Sequence, residues 1–185
     1  MIFKRLLSNV RLNNVKVGLP GIFESDVTVG VNQEQRNAAW QLYVELETRV
    51  IANPLREGEG SLREDLNSLY QVFGLTREIL RNYKPSDIAQ GEASLGSIAI
   101  AVLNKGLRPF LGKWHQKLKA YEENRSDGVS VYEHERNWEH YTEMRQELKQ
   151  VQDQMQDYRK ALAQIVGIEH EKRKSETEDK NGQPT

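Results

Sequence analysis

Residues 141–165 read YTEMRQELKQVQDQMQDYRKALAQI, and their spacing decides the fold class. Apolar side chains fall at Tyr141, Met144, Leu148, Val151, Met155, Tyr158, Leu162 and Ile165, in alternating steps of three and four. That is the seam of a long amphipathic helix packed in coiled-coil fashion, and it must lie against other helices.

Working upstream, Ser130 with Glu133 makes a capping box, so the helix is expected to open there, with His134 continuing the seam. The turn SDGVS separates it from a third helix expected over about residues 94–125. Its first part, SLGSIAIAVL, is apolar nearly all round, as a centrally buried segment is. The stripe then narrows to Leu103, Leu107, Phe110, Trp114, Leu118 and Tyr121. Within it Pro109 has no N–H to offer the carbonyl of Lys105, which predicts a kink or a restart.

Two earlier helices follow from the same signals. Asn32 with Gln35 opens the first, whose stripe is Ala39, Tyr43, Leu46 and Val50 flanked by Trp40 and Leu42, ending before Pro54. Ser61 with Glu64 opens the second, with Leu62, Leu66, Leu69, Tyr70, Phe73 and Leu80 inward and Pro85 as its stop. Ahead of these, Val15, Val17 and Leu19, then Val27, Val29 and Val31, alternate as in half-buried strands, with Pro20–Gly21 and Ser25–Asp26 supplying turns.

The expected fold is mainly α: an antiparallel four-helix bundle with two long C-terminal helices and a small N-terminal β-hairpin or extended arm. At roughly 1.5 Å per residue each long helix reaches about 45 Å and outruns the first two. The arm covers residues 1–31, the bundle 32–168, and a disordered polar tail 169–185.

Composition bounds the function. The chain has 185 residues, is 29% charged, and carries a formal net charge of -1, which argues against a surface built wholly for nucleic acid or acidic membrane. It has no cysteine, which removes disulfides, thiol catalysis and Cys-based zinc sites. The first residues, MIFKRLLSNVRLNN, lack the apolar core and cleavage site of a signal peptide. No stretch approaches the roughly 18 apolar residues of a membrane span, so a cytoplasmic location is expected.

Catalytic motifs are missing: there is no G-x-S-x-G, no P-loop, and no Glu-x-x-His of the di-iron bundles. His134 and His140 are six apart and fall on different helix faces, so no metal site and no cofactor is expected. An enzyme reading has only Arg108, His115 and nearby glutamates in its favour.

One local charge imbalance stands out. Between Ala93 and Tyr121 there is no acid, yet Lys105, Arg108, Lys113, Lys117 and Lys119 are present, while the last helix answers with Glu133, Glu135, Glu139, Glu143, Glu147, Asp153 and Asp157. Pairing between neighbouring helices is the simplest account. The alternative is a nucleic-acid face, against which the aromatics of this helix lie on the core stripe. Arg108 has three candidate roles: satisfying a carbonyl freed by Pro109, pairing with an acid on the last helix, or binding an external anion.

The segments WQLYVELETRV, SLYQVFGLTREIL, SLGSIAIAVLNKGLRPFLGKWH and SVYEHERNW resemble successive parts of an uncharacterised group of bacterial all-helical proteins, over about residues 38–166. The resemblance implies a bacterial protein linked to conflict or antiphage gene clusters, and it brings no catalytic residue. The expected function is a non-enzymatic interaction or assembly module, a homo-oligomer or a partner-bound adaptor. Leu118, Tyr121, Trp138 and Tyr141 on the overhanging helix ends are its expected interface.

Overall fold

The structure is a computed structural model that describes residues 13–49, 60–88 and 93–168. The expected tail, the first twelve residues of the arm, Val50 and Pro54 lie outside the described residues. The described chain is mainly helical, with one two-stranded antiparallel sheet near its N-terminus.

Strands β1 (Asn13–Val17) and β2 (Val27–Val31) pair with Val15 opposite Val29 and Val17 opposite Val27. Val17, Val29 and Val31 face the core, as their alternation requires. Two strands alone are marginal, and this hairpin is held by packing on helices. Gln35 ties it down: its Nε2 donates to Gly30 O at 2.9 Å while its Oε1 accepts from Leu95 N at 3.1 Å.

Helix α1 (Gln33–Glu47) is followed by α2 (Leu62–Arg81) and a single turn, α3 (Pro85–Ile88). Asn32 Oδ1 accepts from Gln35 N at 2.8 Å, and Ser61 Oγ from Glu64 N at 3.1 Å, as the sequence predicts. Gln35 spends its side chain on the hairpin and on Leu95 instead of reaching back to close a full box.

The third helix keeps its path but not its regularity. It runs as α4 (Leu95–Ala101), a π-helical segment (Val102–Leu107) and α5 (Arg108–Glu122). Pro109 sits in the first turn of α5, where its missing N–H costs nothing, and Arg108 N–H donates five residues back to Leu103 O. The widened turn absorbs the proline, so the predicted kink takes the form of a π segment. Gly106 lets it approach the hairpin, since a Cβ there would stand 3.2 Å from Ile22 Cδ1.

The last helix corrects the sequence expectation. It is broken into α6 (Val131–Arg136) and α7 (Tyr141–Val166). Ser130 Oγ caps α6 through Glu133 N at 3.1 Å, but Trp138 N turns back to Glu135 O and Tyr141 N to Trp138 O. Glu135 is anchored at the start of α2 and Trp138 is wedged against Trp114, and these tertiary contacts outweigh helix continuity. From Tyr141 the heptad seam holds, with Met144, Leu148, Val151, Met155, Tyr158, Leu162 and Ile165 all buried.

Long-range pairs give the packing. Glu47 meets Arg159 across α1 and α7, Arg49 meets Gln71 across α1 and α2, Arg63 meets Glu122 across α2 and α5, and Lys113 meets Glu147 across α5 and α7. With Gln41 on Tyr83 and Phe73 beside Arg108, α2 runs antiparallel to both α1 and α5.

Candidate nucleic-acid interface

The five cations of the third helix go to different places. Lys105 Nζ donates to Ile22 O at 3.3 Å and lies over the Phe23 ring, so it serves the hairpin. Lys113 Nζ sits 2.7 Å from Glu143 Oε1 and 2.5 Å from Glu147 Oε1. Hydrogen bonding within this trio raises the lysine and lowers both carboxyls from their ordinary values. Lys117 lies over Trp114, and Lys119 is 3.9 Å from Glu123 with both groups well exposed. The charge pairing expected between the third and last helices is therefore met at Lys113.

Arg108 takes neither of its two internal roles. Among the described residues it makes no hydrogen bond or ion pair, and its guanidinium lies 5.8 Å from the Phe73 ring centroid. Arg77 approaches the same ring at 5.3 Å. Among the described residues no carboxylate pairs with Arg77, Arg81 or Arg108. Glu78, adjacent in sequence, is turned about 100° round the helix from Arg77. Arginine stays charged at any working pH, so these are permanent cations.

Beside them Tyr70 is 42% exposed, with its ring edge-on to His115 at 5.1 Å and 76°. His115 Nδ1 is shielded from solvent and has no hydrogen-bond partner among the described residues. The surface follows from helix period: Tyr70, Phe73 and Arg77 share a face of α2, while Arg108, Gly112 and His115 share a face of α5. Antiparallel packing, closed at one end by the two-pronged Arg63–Glu122 pair, brings the two faces side by side.

The expected interface residues lie elsewhere, and the premise of their exposure is corrected. Leu118 is 0% and Trp138 6% exposed, while Tyr121 and Tyr141 are half-buried. The break before α7 folds Trp138 onto Trp114 at 5.8 Å and onto Tyr121 at 5.4 Å, and His134 stacks on Tyr121 at 4.1 Å. Tyr141 is covered by the Arg145 guanidinium. The chain's own α6 and its connection to α7 cover these side chains. Among the described residues the exposed large apolar ones are instead Trp40, Val44, Tyr70, Ile100, Val131 and Tyr132.

A second charged cluster is internal. Glu135 accepts from Leu62 N at 3.0 Å and Arg63 N at 3.3 Å, satisfying two N–H groups that open α2. Asp65 Oδ2 takes Arg145 Nη1 at 3.2 Å, and Arg145 Nη2 donates to Gly60 O at 3.0 Å. Burial pushes Asp65 up to about 6, against the pull of Arg145, and raises Glu135 as well. Each of these groups is spent on the others, so the cluster reads as a structural clasp. Among the described residues no group of three His, Asp or Glu side chains is placed to hold a metal ion. None of their helices is long and apolar enough to cross a membrane.

Sequence reasoning found Arg108 but not its companions. Tyr70 and Phe73 stood in the apolar stripe of the second helix and were assigned to the core; the adjacent Arg77 gave no sign of sharing their ring. Comparison with protein-family models, with curated proteins and with solved structures finds no match.

Proposed function

We propose that this chain is a non-enzymatic binding module whose α2–α5 surface binds nucleic acid. The observation that carries the reading is the pair Arg77 and Arg108, both over Phe73 and both without a carboxylate partner among the described residues. A cation already paired in the fold gains little from a phosphate, whereas an unpaired one releases counterions when it meets one. Arg81, also without a carboxylate partner among the described residues, extends the charge along α2. The frame, read as an antiparallel four-helix bundle, would present this face rigidly.

Fluorescence anisotropy with labelled oligonucleotides tests the reading. Arg77→Glu with Arg108→Glu should abolish binding and leave helical circular dichroism intact, while Lys113→Ala should change affinity little. Affinity indifferent to salt, or unaffected by the double substitution, would overturn it.

A second reading, self-assembly, is favoured by Trp40 and Val44, which lie one turn apart on the outer face of α1 and are 49% and 37% exposed. Sedimentation at tens of micromolar should then show a dimer that Trp40→Glu dissociates. A bacterial setting and a role in antiphage defence are supported by the resemblance of residues 38–166 alone, and a cytoplasmic location only by the sequence reading above.

A further inference from the structure

We infer that the nucleic acid held on the α2–α5 surface is single-stranded, with one base stacked on Tyr70 and the flanking phosphates on Arg77 and Arg108. This rests on the nucleic-acid reading above and deepens it.

A duplex hides its base faces and offers phosphates and groove edges, so a surface serving it needs cations and an element that enters a groove. The α2–α5 surface is different. Its cations lie on two side-by-side helices, and an exposed aromatic ring stands beside them. Cations tracking the backbone beside a ring open to a base are the combination that single strands require.

Tyr70 is suited to the role by its setting. Its ring packs T-shaped against His115, a contact that favours one orientation of the platform before any ligand arrives. Phe73 cannot share the task, since two guanidinium groups approach its ring.

The glycines agree. Gly74 lies one turn beyond Tyr70 on α2, and Gly112 one turn beyond Arg108 on α5. A Cβ added at either meets nothing within 4 Å, and neither has a positive φ. Neither packing nor backbone geometry requires glycine there, although glycine is disfavoured against alanine inside a helix. What both provide is open space beside the tyrosine and the two arginines, as a flat base needs.

The test uses the full chain and a labelled DNA of about 12 nucleotides, presented as single strand or as duplex. The single strand should bind more tightly. Tyr70→Ala should weaken it by about tenfold, the loss of one stacked base, and leave duplex binding unchanged. Tyr70→Trp should retain the affinity. Gly112→Gln should weaken single-strand binding without lowering the melting temperature, which separates obstruction of the open space at Gly112 from damage to the fold.

Equal binding of strand and duplex, with Tyr70→Ala neutral, would overturn the inference and leave the nucleic-acid reading standing. Failure of both forms to bind, or equal binding of polyglutamate, would overturn both.

Discussion

Glu135 on α6 caps Leu62 at the start of α2, its Oε2 lying 3.0 Å from a backbone nitrogen 73 residues away in the chain. With Ser61 serving Glu64 N, the N–H groups opening α2 are satisfied by one local and one distant side chain. The distant one holds α6 against α2.

Replacing this cap should therefore be costly. Glu135→Gln keeps the size but leaves one acceptor oxygen for two buried donors, and should destabilise the fold by about 1–3 kcal/mol. Urea unfolding followed by circular dichroism measures it. A change within about 0.5 kcal/mol would show that water serves these donors as well as the carboxylate does.

The Asp65–Arg145 pair predicts an unusual pH dependence. Asp65 rises from an ordinary 3.8 to about 6, chiefly through burial, while Arg145 pulls it down and Glu135 and Glu64 push it up. The folded chain then binds a proton that the unfolded chain has released. The stabilisation is full below the unfolded value and is lost as pH rises through about 6, on the order of 3 kcal/mol in all. Asp65→Asn removes this titration, so the stability difference between wild type and variant should narrow or reverse in the variant's favour from about pH 4 to pH 7. A difference independent of pH over that range would refute the assignment.

Leu118 distinguishes a core from an interface. It is wholly buried within the chain, so Leu118→Ala should cost about 2–5 kcal/mol whatever the protein concentration. If the loss instead depended on concentration, the side chain would be serving contact between copies. Equilibrium unfolding at two concentrations a hundredfold apart decides between them.

The fold was legible where local chemistry suffices. The seam from Tyr141 to Ile165, the caps at Asn32, Ser61 and Ser130, and the alternating valines of the hairpin each follow from a few adjacent residues. Periodicity also placed Trp114 inward, because any helix here must bury that stripe, whereas Leu118, on the same stripe, was expected at an interface and is buried within the chain.

The candidate surface was not legible, for a physical reason. Arg108 and Phe73 are 35 positions apart, and only the antiparallel packing of α2 and α5 sets them side by side. The helix break after Arg136 is likewise a tertiary decision, since residues 130–141 carry no proline and no glycine. It is imposed by Glu135 reaching α2 and Trp138 reaching Trp114, and it buries Trp138. Sequence alone determined the hairpin, the helix starts at Asn32, Ser61 and Ser130 and the buried seam of α7, because those follow from period and capping. Tertiary structure alone decided which charges are paired inside the fold and which are left unpaired among the described residues, because that depends on which helices become neighbours.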